Sequence, residues 1–447
     1  MKRYSFFVLL VIASMLLAAC GTSTPTPEAT QAPADDQTAV ETEAPAETEA
    51  PEATQAAEEP AAAGAKITFM TPPWGVPPEE GLKEFEAASG ISVEILSLSM
   101  DQIYSKVQVA ASAQQAAADV IFLSEESPSF IVTPGFVMPL DDIIANDADL
   151  DMADIADTDF WKIDGKTYGI PSYIQTVMMD YNADKLAQAG YENPPATWDE
   201  LTTMAKKLKA DGIDEYPISM GAIDWSWYMI ALTKGDKMFD EDLNPVFADE
   251  GSKGREAMAL LLSYFKDELI SPAMLSETTP HSVFMSGVGT FHQSWLGANG
   301  LMNNAEQSKQ APNVKYMALP ETSNTWSMDA ALGISAYTEN QDAAWQFIKW
   351  YIGESNERGI FDAYGLYPAS QSLQKALDSE GKLVQFDVTS EQASHLNQLP
   401  RWAGWWGPWT TKVTEALRRG INGELTSDQV IDQVATDWND LKAEYQQ

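Results

Sequence analysis

Four tryptophans crowd the stretch RWAGWWGPW, residues 401–409, beside Gly404, Gly407 and Pro408. An indole face is apolar π surface that stacks on other apolar ring faces, while its N–H supplies a single polar handle. Together with the turn-forming residues, Trp402, Trp405, Trp406 and Trp409 predict a loop that shapes an aromatic wall. The competing expectation packs Trp402 and Trp409 beneath the C-terminal helices, with Trp405 or Trp406 merely covering them. Catalytic chemistry has less to build on. No GxxxxGK[ST] loop cradles a phosphate, and no GxSxG elbow presents a serine. His281, His292 and His395 lack metal-ligand spacing, and His292 reads as a solvated loop residue. Carboxylate pairs are common in a chain with 66 acidic residues, so a pair does not identify a glycosidase. The expectation is a binding protein with no catalytic residue, no cofactor and no metal.

The elements that must position such a site are legible along the body. KITFM (66–70) is a short β-type run entering the proline-rich TPPWGVPPEE, and GLKEFEAASG closes at Gly90 as a helix does. ISVEILSLS (91–99) alternates like a strand, residues 101–117 have helical spacing, and ADVIFL (118–123) reads as a buried strand. This β-α-β-α-β order predicts an α/β fold with a largely parallel sheet covered on both faces. Ligands of such sheets gather at the carboxyl ends of strands. There stand Trp74, after the first strand, and Ser124, Glu125 and Glu126, after ADVIFL. Further on, TWDELTTMAKKLKADG (197–212) opens with Thr197 as N-cap and Glu200 at N3 of a capping box. DWSWYMIAL (224–232), carrying Trp225 and Trp227 as further candidate contacts, ALLLSYFKDEL (259–269) and SDQVIDQVATDWNDLKAEY (427–445) make a helix-rich second region. GISAYTEN (333–340) followed by DAAWQFIKWYI (342–352) returns to strand and then helix, as in a chain crossing back to its first lobe.

The N-terminal sequence MKRYSFFVLLVIASMLLAAC has a basic pair, an apolar run and small residues before Cys20, the one cysteine of the chain. It is too short and wrongly flanked for a resident span, so residues 1–19 read as an export signal. LAAC (17–20) resembles the bacterial lipoprotein processing box, which makes Cys20 the expected site of lipid attachment to the membrane. Residues 20–65 then lack aromatic, lysine and arginine residues and are rich in Pro, Ala, Thr and Glu. That composition cannot offset chain entropy by burial and predicts a disordered, extended tether. The chain as a whole carries 66 acidic against 27 basic residues, a formal charge of −39. A field of that sign disfavours nucleic acid and anionic headgroups.

The order of these motifs resembles the extracellular solute-binding proteins of bacterial ABC importers, the large family that includes maltose- and oligosaccharide-binding receptors. The resemblance runs from Lys66 to the C-terminus: KITFM, EEGLKEFEAASGISVEI, ADVIFL with its polar pair, YGIPSYIQTVMMDYNADKLAQAG, PATWDELTTMAKKL, FMSGVGTFHQSW, GISAYTENQDAAWQFIKWYI and YGLYPAS. It implies a two-lobed periplasmic-binding-protein-like fold with a hinge and an interlobe cleft. Lobe one would be 66–175 plus 328–370, and lobe two 176–327 plus 371–447. It implies a ligand-stacking role for Trp295, which ends FMSGVGTFHQSW, hydrogen bonding by Glu125 with its neighbour Glu126, and cleft-edge positions for Tyr173 and Gln175. Part of RWAGWWGPW would also lie near the cleft. The function it implies is carbohydrate capture by cleft closure and delivery to ABC permease subunits, by a monomer anchored outside the cytoplasm. TPPWGVPPEE lacks the charged residues that the maltose receptor has after its first strand, which argues against maltose itself. Two alternatives stay open: a membrane-anchored glycan-binding or hydrolysing protein without a transporter, and an importer receptor for a cationic non-sugar ligand held by carboxylates and aromatic faces.

Overall fold

The computed structural model describes residues 64–276 and 280–446. The export signal, Cys20 and nearly all of the tether lie outside the described residues. The described residues belong to one compact unit, and they build two main sheets, of six and four strands, and a two-stranded ribbon of Lys162–Ile163 and Lys166–Thr167.

The first lobe starts with β1 (Lys66–Thr71), α1 (Glu79–Ser89), β2 (Ser92–Ser97), α2 (Met100–Ser112) and β3 (Val120–Leu123). Gly90 ends α1 in the left-handed conformation, at φ 72°, which glycine adopts without a Cβ penalty. Ser99 and Gln102 close a reciprocal capping box at the start of α2. β1 pairs in parallel with β2 and β3. The chain then runs through β4 (Ile170–Ile174) directly into β5 (Val177–Asn182), leaving the first sheet and entering the second.

The second lobe follows with α3 (Trp198–Ala210), β6 (Ile218–Ser219), α4 (Asp224–Thr233), α5 (Lys253–Lys266), β7 (Phe291–Trp295) and β8 (Val314–Met317). Thr197 caps α3 by accepting from the Glu200 amide at 3.1 Å, as expected. The reciprocal half of the predicted box differs. Glu200 accepts from the amide of Ala196 at 2.8 Å, one residue upstream of the cap. The chain re-enters the first lobe as β9 (Ala330–Ile334), continues into α6 (Gln341–Tyr351) and forms β10 (Tyr367–Pro368). It ends in lobe two with α7 (Trp406–Ile421) and α8 (Ser427–Tyr445).

The first sheet has the order β10-β4-β9-β3-β1-β2, the second β8-β5-β7-β6. The expectation of a largely parallel first sheet needs correction. β9 lies antiparallel to both β3 and β4. The reason is the hinge: β4 leaves the lobe there and β9 enters there, so two strands side by side must run in opposite directions. The crossing segments are themselves paired. The Gln175 amide donates to Asp329 Oδ1 at 2.6 Å, the Met328 amide donates to the Gln175 carbonyl at 2.6 Å, and Thr176 bridges Ser327. Each lobe keeps its own core. Ile67, Phe69, Val120 and Phe347 lie on one face of the first sheet and Met70, Ile103 and Ile121 on the other. The largest core belongs to lobe two and joins α3, α4, α5, α7 and α8.

Candidate ligand cleft

The carboxyl ends of β1, β3 and β4 and the start of β9 all point at the hinge, because β9 pairs Ala331 with Leu123 and Ala330 with Tyr173. What the sequence places just beyond those ends therefore converges. Trp74 sits in a tight turn after β1. Gly75 makes that turn possible, since a Cβ there would fall 2.3 Å from Thr71 Oγ1 and 2.9 Å from the Phe122 ring. Tyr351 holds the turn by donating to the Gly75 carbonyl at 2.8 Å. After β3, the Ser124 amide donates to Ser127 Oγ at 2.9 Å, and Tyr104 shares a 2.6 Å hydrogen bond with Ser124 Oγ. This small network fixes the turn that carries Glu125 and Glu126. From lobe two come Trp225, in the first turn of α4, and Trp295, the last residue of β7, opposite Val177.

These groups enclose a cavity of about 430 Å³ between the lobes, within the roughly 300–1,000 Å³ of small-molecule sites. Trp74, Tyr173, Trp225 and Trp295 supply its aromatic surface, and Glu125, Glu126 and Gln175 its polar groups. Ser124, also expected at this strand end, joins the lining, and Tyr104, Met100, Met328 and Leu366 complete it without having been singled out from the sequence. Tyr104 stands one turn after Met100 on a helix whose other signals are those of a core face. Met328 and Leu366 come from segments that only the hinge topology brings near.

Protein surrounds Glu125 and Glu126 on most sides, although both keep partial contact with solvent through the cleft. Burial pushes Glu125 up, opposed by the Arg401 guanidinium. Burial, then the charges of Glu125 and Asp224, push Glu126 up to about 7. Asp224 is pushed up to about 6, again mainly by burial. Arg401 comes from lobe two, is 4% exposed and donates to the Glu125 carbonyl at 3.4 Å. Burial lowers its basicity, and Glu125 and Glu126 partly restore it. Burial also raises the Tyr173 phenol, with a hydrogen bond from Trp74 opposing. The site is thus rich in acceptors and flat apolar faces.

The structure places the other predicted aromatics elsewhere. Trp227 is fully buried in lobe two, with its indole N–H donating to the Gly254 carbonyl at 2.9 Å. It lies two positions after Trp225, about 200° around the helix, so the two rings face opposite ways. The aromatic-loop expectation for 401–409 is corrected as well. Residues from Trp406 onward are the first turn of α7, where Pro408 costs no interior hydrogen bond. Trp405, Trp406 and Trp409 are buried against Trp438, Phe239 and Tyr228. Trp409 stacks on Tyr228 at 6.0 Å and donates to the Val434 carbonyl at 2.9 Å. Trp402 is exposed but borders a separate cavity of about 30 Å³ with Pro128 and Phe160. None of the four lines the central cavity; this stretch meets its wall through Arg401, which donates to the Glu125 carbonyl and which the aromatic reading passed over. His292 is no solvated loop residue either. It lies buried in β7, 2.7 Å from His281 Nδ1, and His281 in turn packs edge-on against Trp295 at 3.9 Å.

The profile described as bacterial extracellular solute-binding protein matches residues 81–388. A binding protein of Brucella abortus is 26% identical over 256 residues, covering 54% of this chain and 60% of that protein. The diacetylchitobiose-binding protein of Streptomyces coelicolor is 22% identical over 250 residues, covering 54% of this chain and 58% of its own. The aligned region therefore spans somewhat over half the length of these curated relatives. Among solved structures, an ABC substrate-binding protein of Listeria monocytogenes in complex with cycloalternan superposes with a TM-score of 0.73 at 22% identity. That match covers 84% of this chain and 98% of the other, and shows the shared fold.

Proposed function

Because the chain belongs to the family of bacterial extracellular solute-binding proteins, we propose that it captures a carbohydrate in the interlobe cleft and delivers it to an ABC permease. The observation that carries this reading is the cavity itself. Three tryptophans and Tyr173 offer stacking faces for the apolar C–H side of a sugar ring, beside carboxylates and Gln175 that accept or exchange hydrogen bonds with its rim. The diacetylchitobiose bound by the Streptomyces relative and the cycloalternan of the Listeria complex support the same ligand class. In this reading Trp74, Glu125, Glu126, Tyr173, Gln175, Trp225 and Trp295 form the ligand site. The receptor acts as a monomer, held to the outer face of the membrane through a lipid on Cys20.

A second reading is favoured by one observation. Glu125, Glu126 and Asp224 outnumber Arg401 around the cleft, a balance that also suits a cationic ligand beside aromatic faces. Calorimetric titration with neutral saccharides and with quaternary amines separates the two. Saccharide binding that disappears in Trp295→Ala, with the sugar recovered unchanged, supports the receptor reading. Exclusive binding of the amines replaces it with the second reading, and release of shortened sugar replaces both with a hydrolase.

A further inference from the structure

Trp295 presents a ring to the cavity that its own polar atom does not hold in place. The indole N–H groups of Trp198, Trp227, Trp345, Trp409 and Trp438 each donate to an oxygen at 2.7 to 2.9 Å. Among the described residues, no such bond ties the indole of Trp295. β7 ends at this residue, and the chain turns away at Gly297, at φ 95°. Strand alternation sends the Trp295 side chain to the face opposite His292. Its ring nevertheless packs both on the main core of lobe two and on the small cluster of Phe284, Ala298, Met302 and Val314. The indole therefore lies across the end of the strand, where packing alone sets its direction.

His281 meets it there. This residue opens a short helix, His281–Met285, and its ring centre stands 3.9 Å from that of the indole, with the planes at 70°. His281 Nδ1 lies 2.7 Å from His292 Nε2. His292 is fully buried and stacked on Phe284 at 4.3 Å, with the planes 5° apart. Phe284, His292, His281 and Trp295 thus form a row of rings from the interior of lobe two to the cavity wall. Burial holds His281 down to about 4 and His292 well below its ordinary range. At neutral pH both imidazoles are uncharged, so one donates the hydrogen bond between them and the other accepts it.

We propose that His281 is a positioning residue for ligand capture: held by His292, its imidazole backs the indole of Trp295 and fixes the face that Trp295 turns to the cavity. This role rests on Trp295 being a ligand contact, whatever the class of ligand. A side chain already fixed in the free protein spares the ordering cost that binding would otherwise carry, a gain of about two- to tenfold in affinity.

Calorimetry with maltose, cellobiose, lactose, diacetylchitobiose and choline first finds a probe that binds. With that probe, His281→Ala should weaken binding about two- to tenfold when Trp295 is present and have no further effect in Trp295→Ala. His281→Phe, which keeps a ring against the indole, should recover most of the loss. Melting temperatures are recorded for every variant. Unchanged affinity in folded His281→Ala overturns the role, and so does an equal loss in both backgrounds. A loss that folded His281→Phe fails to recover overturns it too. Full affinity of Trp295→Ala removes Trp295 from the site and the role of His281 with it. A second readout needs no ligand. The indole N–H resonance of Trp295, identified by its absence from Trp295→Phe, should move or broaden in His281→Ala and return towards its place in His281→Phe. If none of the five probes binds, the carbohydrate reading fails separately, and a Trp295 resonance unmoved in folded His281→Ala overturns the positioning role.

Discussion

Glu126 is the residue on which the chemistry of the cleft turns, because it lines the cavity and its carboxyl is held up to about 7. The unfolded chain gives up that proton near 4.5, the ordinary value. Between about 4.5 and about 7 the folded protein therefore holds a proton that the unfolded chain has lost. Stability of the unliganded protein should fall as pH rises through that window and level off above it. Asp224, held up to about 6, contributes in the lower part, while Arg401 opposes the shift and Glu125 and Asp101 reinforce it. A ligand that donates hydroxyl hydrogen bonds favours the carboxylate, so affinity should strengthen as pH rises through about 7 and binding should release a proton. Calorimetry at pH 6.5 in two buffers of different ionisation enthalpy measures that release. Glu126→Gln should abolish most of it, and an unchanged proton count would assign the titration elsewhere. Trp295 carries a second prediction at this scale. Truncating an aromatic anchor of a binding site costs roughly 2 kcal/mol or more, about a thirtyfold loss of affinity. Because Trp295 is only partly buried, Trp295→Ala should lower affinity far more than melting temperature.

The element that answers most differently from its sequence is α7. Its first turn carries Trp406 and Trp409 into a cluster with Tyr228 of α4 and Trp438 of α8. Aromatic contacts of this kind hold three helices to one another, so the tryptophans serve the scaffold of lobe two. Trp409→Ala should accordingly destabilise the protein by about 3–5 kcal/mol, the usual cost of emptying a large aromatic site. Saccharide affinity measured well below the lowered melting temperature should change little. A large affinity loss with an unaltered denaturation midpoint would return Trp409 to the binding site.

At the scale of the whole molecule, segment 401–407 is one place where lobe two meets lobe one outside the hinge. Arg401 donates to the Glu125 carbonyl, and Thr133 donates to the Trp402 carbonyl at 2.6 Å. Gly407 lies so close to Phe130 that a Cβ would fall 2.3 Å from the ring, and Phe130 is itself stacked on Tyr104 at 4.9 Å. Gly407→Ala should therefore hold the lobes apart. In solution scattering the variant should show a larger radius of gyration at saturating ligand than the unaltered protein, together with weaker binding. Identical scattering and affinity would mean that Phe130 simply turns aside and the contact does not govern closure.

Local order was readable without tertiary structure because it rests on interactions within a few residues. Gly90 ends α1, Thr197 starts α3, and 427–445 is a helix as its spacing predicts. The positions just beyond β1 and β3 were readable for a related reason: strand order alone aims Trp74 and Glu125 at one edge, whereas Gln175 came only from the family resemblance. The fate of the tryptophans was not. α4 is apolar nearly all round, so its pattern does not tell whether Trp225 or Trp227 faces the core. A tryptophan that stacks on a ligand and one that stacks on Trp438 make the same local sequence. The antiparallel β9, the approach of Arg401 to Glu125 and the meeting of α2 with α7 join residues more than two hundred positions apart. Such contacts depend on how two lobes close around a hinge, and only the assembled structure decides them.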